Sequence, residues 1–375
     1  RIGGREVEFP DIHWERLDHW IPRFVAQRCG LQVTGTIFAP PGHRGFIYSL
    51  RIDNVGEKPV VLDWGWRGAW LEARQTIYRS RPMYGRRTAW YDEWTDTLAF
   101  ELSAGPATAG FAVGASRPFP GLGWHLAKAA SPGAAFQNAV ARRRGPGADS
   151  PVRDVNDGGR PIYFAIAQED LVEPGAHVEM DLYVAVSAES DGACTTVVDL
   201  QRRGARALLE RTRAWLRERA RAVSDEELGR RMHLNLWFNY FFAAGRTIDT
   251  EELVLVTSRS PRYYVSAALW SRHAFLWSFP GVLLIDPERA REMVLAGFGR
   301  YLRNAAEHSL YIDGTVLYPG FELDELCAPL IALEQYVRAT EDYAVLEEQG
   351  PGGAGRVIDG VGYLEKVPIF LRLWW

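Results

Sequence analysis

RYYVSAALWSRHAFLWSFPGVLLIDPERAREMVLAGFGRYLRNAAEHSLYIDGTVLYPGFELDELCAPLIALEQYVRAT, residues Arg262 to Thr340, is the stretch on which the reading of this chain turns. Apolar residues recur in it at helical spacing, separated by loops of aromatics, Gly and Pro. Asp286-Pro287 is a helix start: a side-chain oxygen stands at the cap, and a ring that needs no amide donor fills the first turn. After it, Ala290, Met293, Val294, Gly297, Phe298, Tyr301 and Leu302 fall on one face at steps of three and four. A second helix is predicted from about Leu323 to Thr340, with Leu326, Leu330, Leu333 and Val337 as its inner stripe. Trp270 to Ile285 is nearly apolar all round, which predicts a buried helix.

The 375 residues suffice for two domains with substantial cores. Apolar and charged fractions are those of a soluble globular protein. A net charge of -4 gives no electrostatic reason to expect nucleic acid or an acidic membrane surface as a partner. Cys29, Cys194 and Cys327 are too few and too scattered for a disulfide framework, which fits a reducing, cytoplasmic setting. No apolar run reaches membrane-spanning length, and the start carries no signal-sequence pattern. The fourteen Trp are many. Core packing explains most of them, and sugar-stacking platforms are the sharper reading, since an indole offers a flat apolar face to the CH side of a pyranose.

Residues 1–198 read as β. Alternating runs such as Phe46–Ile52 and Val178–Val184 place apolar and polar groups on opposite faces. Pro40-Pro41-Gly42, Asn54-Val55-Gly56 and Glu173-Pro174-Gly175 punctuate them. Many short strands with turn signals predict an antiparallel β-sandwich. The run from Gly42 to Val61 reads as a strand, a turn and its partner strand. Trp64, Trp66, Trp70, Trp90 and Trp94 gather in mid-domain. Trp90-Tyr91-Asp92-Glu93-Trp94 is the loop best suited to contact a sugar, because it combines rings with acceptors. Ala139 to Arg160 reads as an exposed loop, and its triplet Arg142-Arg143-Arg144 as solvated charge.

At Asp199 the period changes. Leu200 to Val223 is Arg-, Ala-, Leu- and Glu-rich without Pro, and is expected to be one long linker helix over 199–223. Ser224-Asp225-Glu226-Glu227 reads as a capping box opening the next helix, through Leu228, Met232, Leu236, Tyr240 and Phe241. Thr247 to Tyr264 reads as loop, Gln349 to Gly355 as a flexible loop, and Val361 to Trp375 as a last helix ending on the apolar run Ile369–Trp375.

The residues Trp270-Ser271-Arg272-His273, Phe279-Pro280-Gly281-Val282-Leu283-Leu284 and Glu322-Leu323-Asp324-Glu325 resemble three motifs of the bacterial glycogen-debranching, amylo-α-1,6-glucosidase-like glycoside hydrolases. Those proteins carry Trp-Gly-Arg-Asp, a Pro-Gly-Leu-Leu-Leu-like helix, and an Asp that opens a helix further on; here that Asp stands fifty-two positions after Arg272. The resemblance covers about a fifth of the chain. It implies that an N-terminal β-sandwich precedes an (α/α)6 six-hairpin toroid over 224–375. Such a toroid needs twelve helices, and with helices of about 11–12 residues this stretch holds roughly half of them. The chain is therefore expected to be the N-terminal portion of a longer protein, its toroid incomplete and, in isolation, non-hydrolytic.

Glycoside hydrolysis commonly uses two carboxyl groups; in inverting enzymes they stand about 6.5–9.5 Å apart. The resemblance makes Asp324 the general acid and implies that the catalytic base lies beyond the C-terminus. Glu322 and Glu325 would raise the pKa of Asp324 by like-charge repulsion, while the helix N-terminus opposes them; the plain alternative is that all three cap a helix. The resemblance also implies that Trp270, Arg272 and His273 form the other wall, with Arg272 holding sugar hydroxyls and Trp270 packing on the ring. The chain departs from the pattern at Ser271 and His273, where the family has Gly and Asp. An imidazole accepts one bond and donates one where a carboxylate accepts two. Tyr311 and Asp313 come from the loop before Phe321 and complete the substrate-binding candidates; Asp313 and Asp359 are also loop carboxylates that suit turns. No His, Cys and carboxylate set has metal-ligand spacing, no Gly-x-Ser-x-Gly elbow is present, and no cofactor is expected. The expected partner is an oligosaccharide or glycoside. The expected function is inverting hydrolysis of α-linked glucose-type sugars. The alternatives are an α-mannosidase- or rhamnosidase-type toroid enzyme and a catalytically inactive carbohydrate-binding homologue.

Overall fold

The computed structural model describes residues 1–74, 83–105, 107–128, 130–141, 151–156, 159–257, 268–349 and 356–358. The Arg142–Arg144 triplet, most of the Gly-rich loop, Asp359 and the expected helix from Val361 to Trp375, with its terminal apolar run, lie outside the described residues. Two compact units divide the chain between Glu218 and Arg219. No helix among the described residues is long and apolar enough to cross a membrane.

Among the described residues the first unit holds twelve antiparallel strands: β1 (Ile12–Leu17), β2 (Ile21–Arg28), β3 (Leu31–Phe38), β4 (Gly45–Asn54), β5 (Val60–Trp70), β6 (Arg86–Asp92), β7 (Thr97–Ala104), β8 (Ala107–Ala115), β9 (Gly123–Ala127), β10 (Val152–Val155), β11 (Ile162–Val172) and β12 (His177–Ser187). Nine form one sheet, in the order β1-β2-β3-β4-β12-β8-β7-β6-β10, and three form another, β5-β11-β9. Alternation along the strands sends Ile52, Phe100 and Leu182 from the larger sheet, and Leu62, Trp64 and Ile166 from the smaller, into one buried core. Trp64 and Trp66 are thereby core residues. In the tryptophan-rich turn Trp94 projects, 97% exposed, from a hairpin tip held by Tyr91 Oη donating to Asp96 at 2.6 Å.

The run from Gly42 to Val61 is not a hairpin. β4 pairs with β3 and β12, whereas β5 pairs with β11 in the other sheet. The cause is Asn54. Its buried carboxamide donates to the carbonyls of Lys58 and Val172, both at 2.8 Å, and accepts from Gly56 N–H at 3.0 Å. The connection is thus tied to the end of β11, and the next strand is delivered there. The expected loop from Ala139 to Arg160 also holds order at its edges: a helix, α1 (Pro132–Val140), runs to its start, and β10 lies within it.

The expected linker helix is two helices, α2 (Ser190–Arg203) and α3 (Ala205–Arg219). Gly204 separates them at φ 79°, a left-handed backbone that ends a helix. In the second unit α4 (Glu226–Phe242) is capped by Asp225, not Ser224, whose carboxylate accepts from Leu228 N–H at 2.7 Å. Glu227 pairs with Arg230 and Arg231 instead of closing a capping box. A short strand, β14 (Leu253–Leu255), replaces part of the expected loop after Thr247 and pairs with β13 (Ala244–Arg246), which ends just before it.

The deciding stretch folds largely as its periodicity requires. Ala268–Leu269 forms β15, and Arg272–Ser278 a π-helical turn that runs into α5 (Phe279–Ile285). Asp286 caps α6 (Pro287–Ala296), accepting from Arg289 N–H at 3.1 Å. Ala290, Met293, Val294, Phe298 and Tyr301 are buried in one cluster with Phe275, Phe279 and Leu326. Then come β16 (Glu307–Tyr311), β17 (Val316–Phe321) and α7 (Leu323–Thr340). Two expectations differ. The segment from Trp270 to Ile285 is not buried all round, since Trp277 and Leu284 face outward. The inner stripe of α7 runs through Leu326, Pro329, Ala332 and Tyr336, with Leu333 and Val337 beside it and Leu330 exposed. Apolar residues stand on more than one face of α7, so what packs against the helix selects which of them are buried.

Asp286 also accepts from Tyr240 Oη at 2.9 Å and faces Arg219 Nε at 3.5 Å. Asp286→Ala removes a cap and a half-buried tyrosine's acceptor together. It should destabilise the second unit by about 2 kcal/mol in denaturant titration. Asp286→Asn, which keeps an acceptor for the amide, should recover at least half of that loss.

Candidate functional site

The candidate site is organised by Arg272. Residues Trp270 and Ser271 are buried at the end of β15, so the chain enters the π-helical turn with its backbone fixed. A π-helical turn is wider than an α-turn and is frequent at functional sites. Here it brings the His273 ring under the indole of Trp277, with centroids 4.0 Å apart and planes 17° apart. Trp270 continues the stack on the other side at 6.1 Å and 22°. The outer indole, Trp277, is 64% exposed.

The Glu322–Glu325 turn supplies the carboxylates. Arg272 Nη1 donates to Glu322 Oε2 and, at 3.0 Å, to Asp324 Oδ2. Its Nε lies 3.2 Å from Glu325 Oε1, an ion pair without hydrogen-bond alignment, so that oxygen is buried and accepts no bond. The second oxygen of Glu325 accepts from the backbone N–H of Arg272 at 3.0 Å. One residue is thus gripped at its backbone and its guanidinium by one carboxylate, and at its tip by two more. A fourth group joins through Glu322, whose Oε1 sits 2.6 Å from His308 Nδ1 on β16. His308 in turn meets Trp270 and Tyr318 ring to ring.

The carboxyl groups divide sharply. Asp324 is 51% exposed on its side chain. Partial burial pushes its pKa up, but the hydrogen bond and charge of Arg272 outweigh this and hold it below the usual range. Glu322 behaves alike: burial is overcome by the bonds from His308 and Arg272. Glu325 is 0% exposed, and burial, helped by the charge of Asp324, pushes its pKa up to about 7 against the pull of Arg272. The raised value expected at Asp324 therefore belongs to Glu325. Repulsion among the three is real, but it falls on the residue farthest from water. His273 is pushed down by burial and by the positive charge of Arg272, so it is neutral at pH 7.

Of the expected site residues, Trp270, Arg272, His273, Glu322, Asp324 and Glu325 come together. Asp313 is spent on the turn between β16 and β17, accepting from Thr315 N–H at 2.9 Å and Thr315 Oγ1 at 2.7 Å. Tyr311 stands at the end of β16, paired with Ala268. Sequence reasoning passed over Trp277 and His308. Trp277 lies four positions after His273 in an apolar run, a usable signal once a wide helical turn is considered. The place of His308 depends on irregular pairing between β16 and β17, which no spacing rule reveals.

No family model matches this chain, and no curated protein does. Solved structures do. One assigned as a kojibiose phosphorylase, from the human microbiome, matches at TM-score 0.56 and 8% identity, over 92% of this chain and 45% of that one. A bacterial glucoamylase complexed with acarbose matches at TM-score 0.49 and 11% identity, over 88% and 48%. A GH92 α-mannosidase from Bacteroides thetaiotaomicron matches at 0.32 and 12%, over 82% and 37%. The chain spans less than half the length of each. The first likeness shows a shared fold and nothing of the chemistry.

Glu325 gives a test of the cluster. Its folded pKa lies above its ordinary 4.5. The stability it contributes is therefore complete below about pH 4.5 and is lost as pH rises through about 7. Glu325→Gln keeps the acceptor for Arg272 N–H and has no proton to lose. Its stability relative to the native chain should rise between pH 5 and pH 8 by on the order of 2 kcal/mol. Parallel melting curves at the two pH values check this; a constant offset would place the titration elsewhere.

Proposed function

We propose that this chain belongs to a glycoside-processing enzyme, and that the unit after Arg219 carries part of its sugar site. The observation that carries the reading is the Arg272 cluster: a guanidinium bridging accessible, ionised carboxylates beside an exposed indole face. Sugars present hydroxyls that both donate and accept, and an apolar CH face. Carboxylates, a guanidinium and an indole answer those features in turn. The fold shared with a phosphorolytic enzyme of disaccharides supports the class. The helices from Glu226 to Thr340 are read as the opening portion of an (α/α)6 toroid, after a β-sandwich over residues 1–198 and a linker over 199–223. The substrate is an α-linked glucoside or a related mannoside or rhamnoside.

Within that reading Asp324 is an ionised hydroxyl acceptor and not the general acid. An acid at neutral pH needs a raised pKa and access to the leaving oxygen. The two are split between neighbours: Asp324 has access without the proton, and Glu325 has the proton without access. Asp324 and Glu322 grip hydroxyls, Arg272 orients both, and Trp277 stacks on the sugar. The low pKa of Asp324 also favours a second reading, a site that binds sugars without turning them over.

The test is calorimetric binding and turnover by the full-length protein on α-linked disaccharides, with and without inorganic phosphate. Arg272→Gln frees all three carboxylates and should weaken binding at least tenfold, and turnover about a hundredfold, the loss expected when a charged group leaves others unpaired. Asp324→Asn should weaken binding about tenfold. Binding without turnover selects the second reading. Absence of binding to glucosides, mannosides, rhamnosides and trehalose alike would reject both.

A further inference from the structure

The outer face of the nine-stranded sheet carries a second constellation, at its β10 edge and wholly within the first unit. Thr88 stands at its centre. It pairs with Glu101 on β7 and with Arg153 on β10, so these three side chains leave the same face in a row across three strands. Arg86 and Trp90, two positions before and after Thr88 on β6, join them on that face. The result is a cross, its arms set by strands about 4.8 Å apart and by steps of about 7 Å along β6. With Pro151 these residues line an open cleft of about 280 Å³. The framework behind the face is fixed. Arg87 points the other way, is 0% exposed, and donates to Asp154 of β10 at 2.9 Å, which holds the short edge strand to β6.

The charges of the cross are not spent on one another. Glu101 accepts from Ser103 Oγ at 3.4 Å and from Ser190 Oγ at 3.0 Å, both neutral donors. Arg86 and Arg153 are exposed, and among the described residues no carboxylate pairs with either. Arg153 faces Thr88, so the two guanidiniums stand diagonally on neighbouring strands, where like charges repel and a bound anion relieves them. A guanidinium takes a carboxylate or phosphate in two parallel bonds. Thr88 and Glu101 answer hydroxyls, and the partly exposed Trp90 offers a flat apolar surface.

We propose that this face binds an acidic sugar, a pyranose bearing a carboxylate or phosphate group. The anion lies between Arg86 and Arg153, ring hydroxyls meet Thr88 and Glu101, and the CH face of the ring lies against Trp90. A free anion would meet the carboxylate of Glu101 with nothing to gain from Trp90, and a neutral sugar would leave two cations unmatched. The site shares no residue with the Arg272 cluster, so it stands whether or not that cluster binds sugar.

The experiment is isothermal titration of the full-length protein with digalacturonate and with glucose 6-phosphate, against maltose and inorganic phosphate as controls. Each titration is repeated on Arg272→Gln, which removes binding at that cluster from the comparison. One of the two acidic sugars should bind at least tenfold more tightly than maltose in both proteins, and less tightly as salt rises; which one binds tells carboxylate from phosphate. Arg86→Gln and Arg153→Gln should each weaken that binding about tenfold or more, with unchanged melting temperatures because both side chains are exposed. Trp90→Leu keeps apolar bulk without the flat ring and should weaken it about fivefold, and Trp90→Phe should recover part of the loss. Acidic-sugar binding that survives both arginine substitutions overturns the assignment. Phosphate bound as tightly as the acidic sugar, with Trp90→Leu without effect, shows an anion site only and overturns the sugar. Maltose bound as tightly as the acidic sugars in Arg272→Gln overturns the acidic class. Absence of binding to both acidic sugars overturns the site, and leaves the reading of the Arg272 cluster untouched.

Discussion

A guanidinium surrounded by more carboxylates than it can neutralise is the constraint on which this unit turns. Arg272 carries one positive charge and faces Glu322, Asp324 and Glu325. The pairings differ in environment, and environment decides the charge state. Glu322 and Asp324 reach water, so the attraction of Arg272 outweighs the cost of holding charge. Glu325 is sealed, and there the cost of desolvation wins. Near pH 7 the cluster therefore sits close to a protonation boundary that belongs to its innermost member. Structurally this couples the start of α7 to the π-helical turn, because Glu325 accepts from the backbone of Arg272 as well as facing its side chain.

Much of the fold follows from signals that survive any tertiary context. Asp286-Pro287 caps α6 because both residues satisfy or remove donors locally, and α7 spans Leu323 to Thr340 because its apolar residues recur at helical spacing through the interior Pro329. Alternation along β4 and β12 likewise made two-faced strands legible. Pairing was not. Asn54 sends β5 to the opposite sheet through bonds to a carbonyl 118 positions away, and local sequence carries no trace of that partner. The same limit applies to α7. Leu330 satisfies the spacing of an inner stripe, yet the surrounding core selects Pro329 and Ala332. Hydrophobic spacing proposes a face; the neighbours choose it.

The candidate site was legible as residues but not as charges. Arg272, Asp324 and their companions stand out because polar groups cluster where apolar helices begin. Which carboxyl keeps a proton depends on whether a side chain points into the core or out of it. At the first turn of a helix that direction changes by about 100° per residue. Asp324 and Glu325 are adjacent in sequence, and this rotation alone separates an exposed ionised group from a sealed one.

The burial of Glu325 has a geometric reward. A guanidinium offers five donors in a rigid plane, and a single partner would leave that plane free to swing. Glu325 holds the root of Arg272 through the backbone and faces Nε, so the plane is set before Glu322 and Asp324 engage its tip. A glutamine would serve the backbone bond but could not attract Nε as an ionised glutamate does. The glutamate costs stability above neutrality and fixes the orientation of the outer carboxylates through Arg272. The π-helical turn that begins at Arg272 also stacks His273 on Trp277. Orientation of the acceptors and placement of the aromatic face are consequences of the same seven residues, Arg272 to Ser278. One short turn therefore supplies both the guanidinium and the aromatic face, while the carboxylates come from the start of α7.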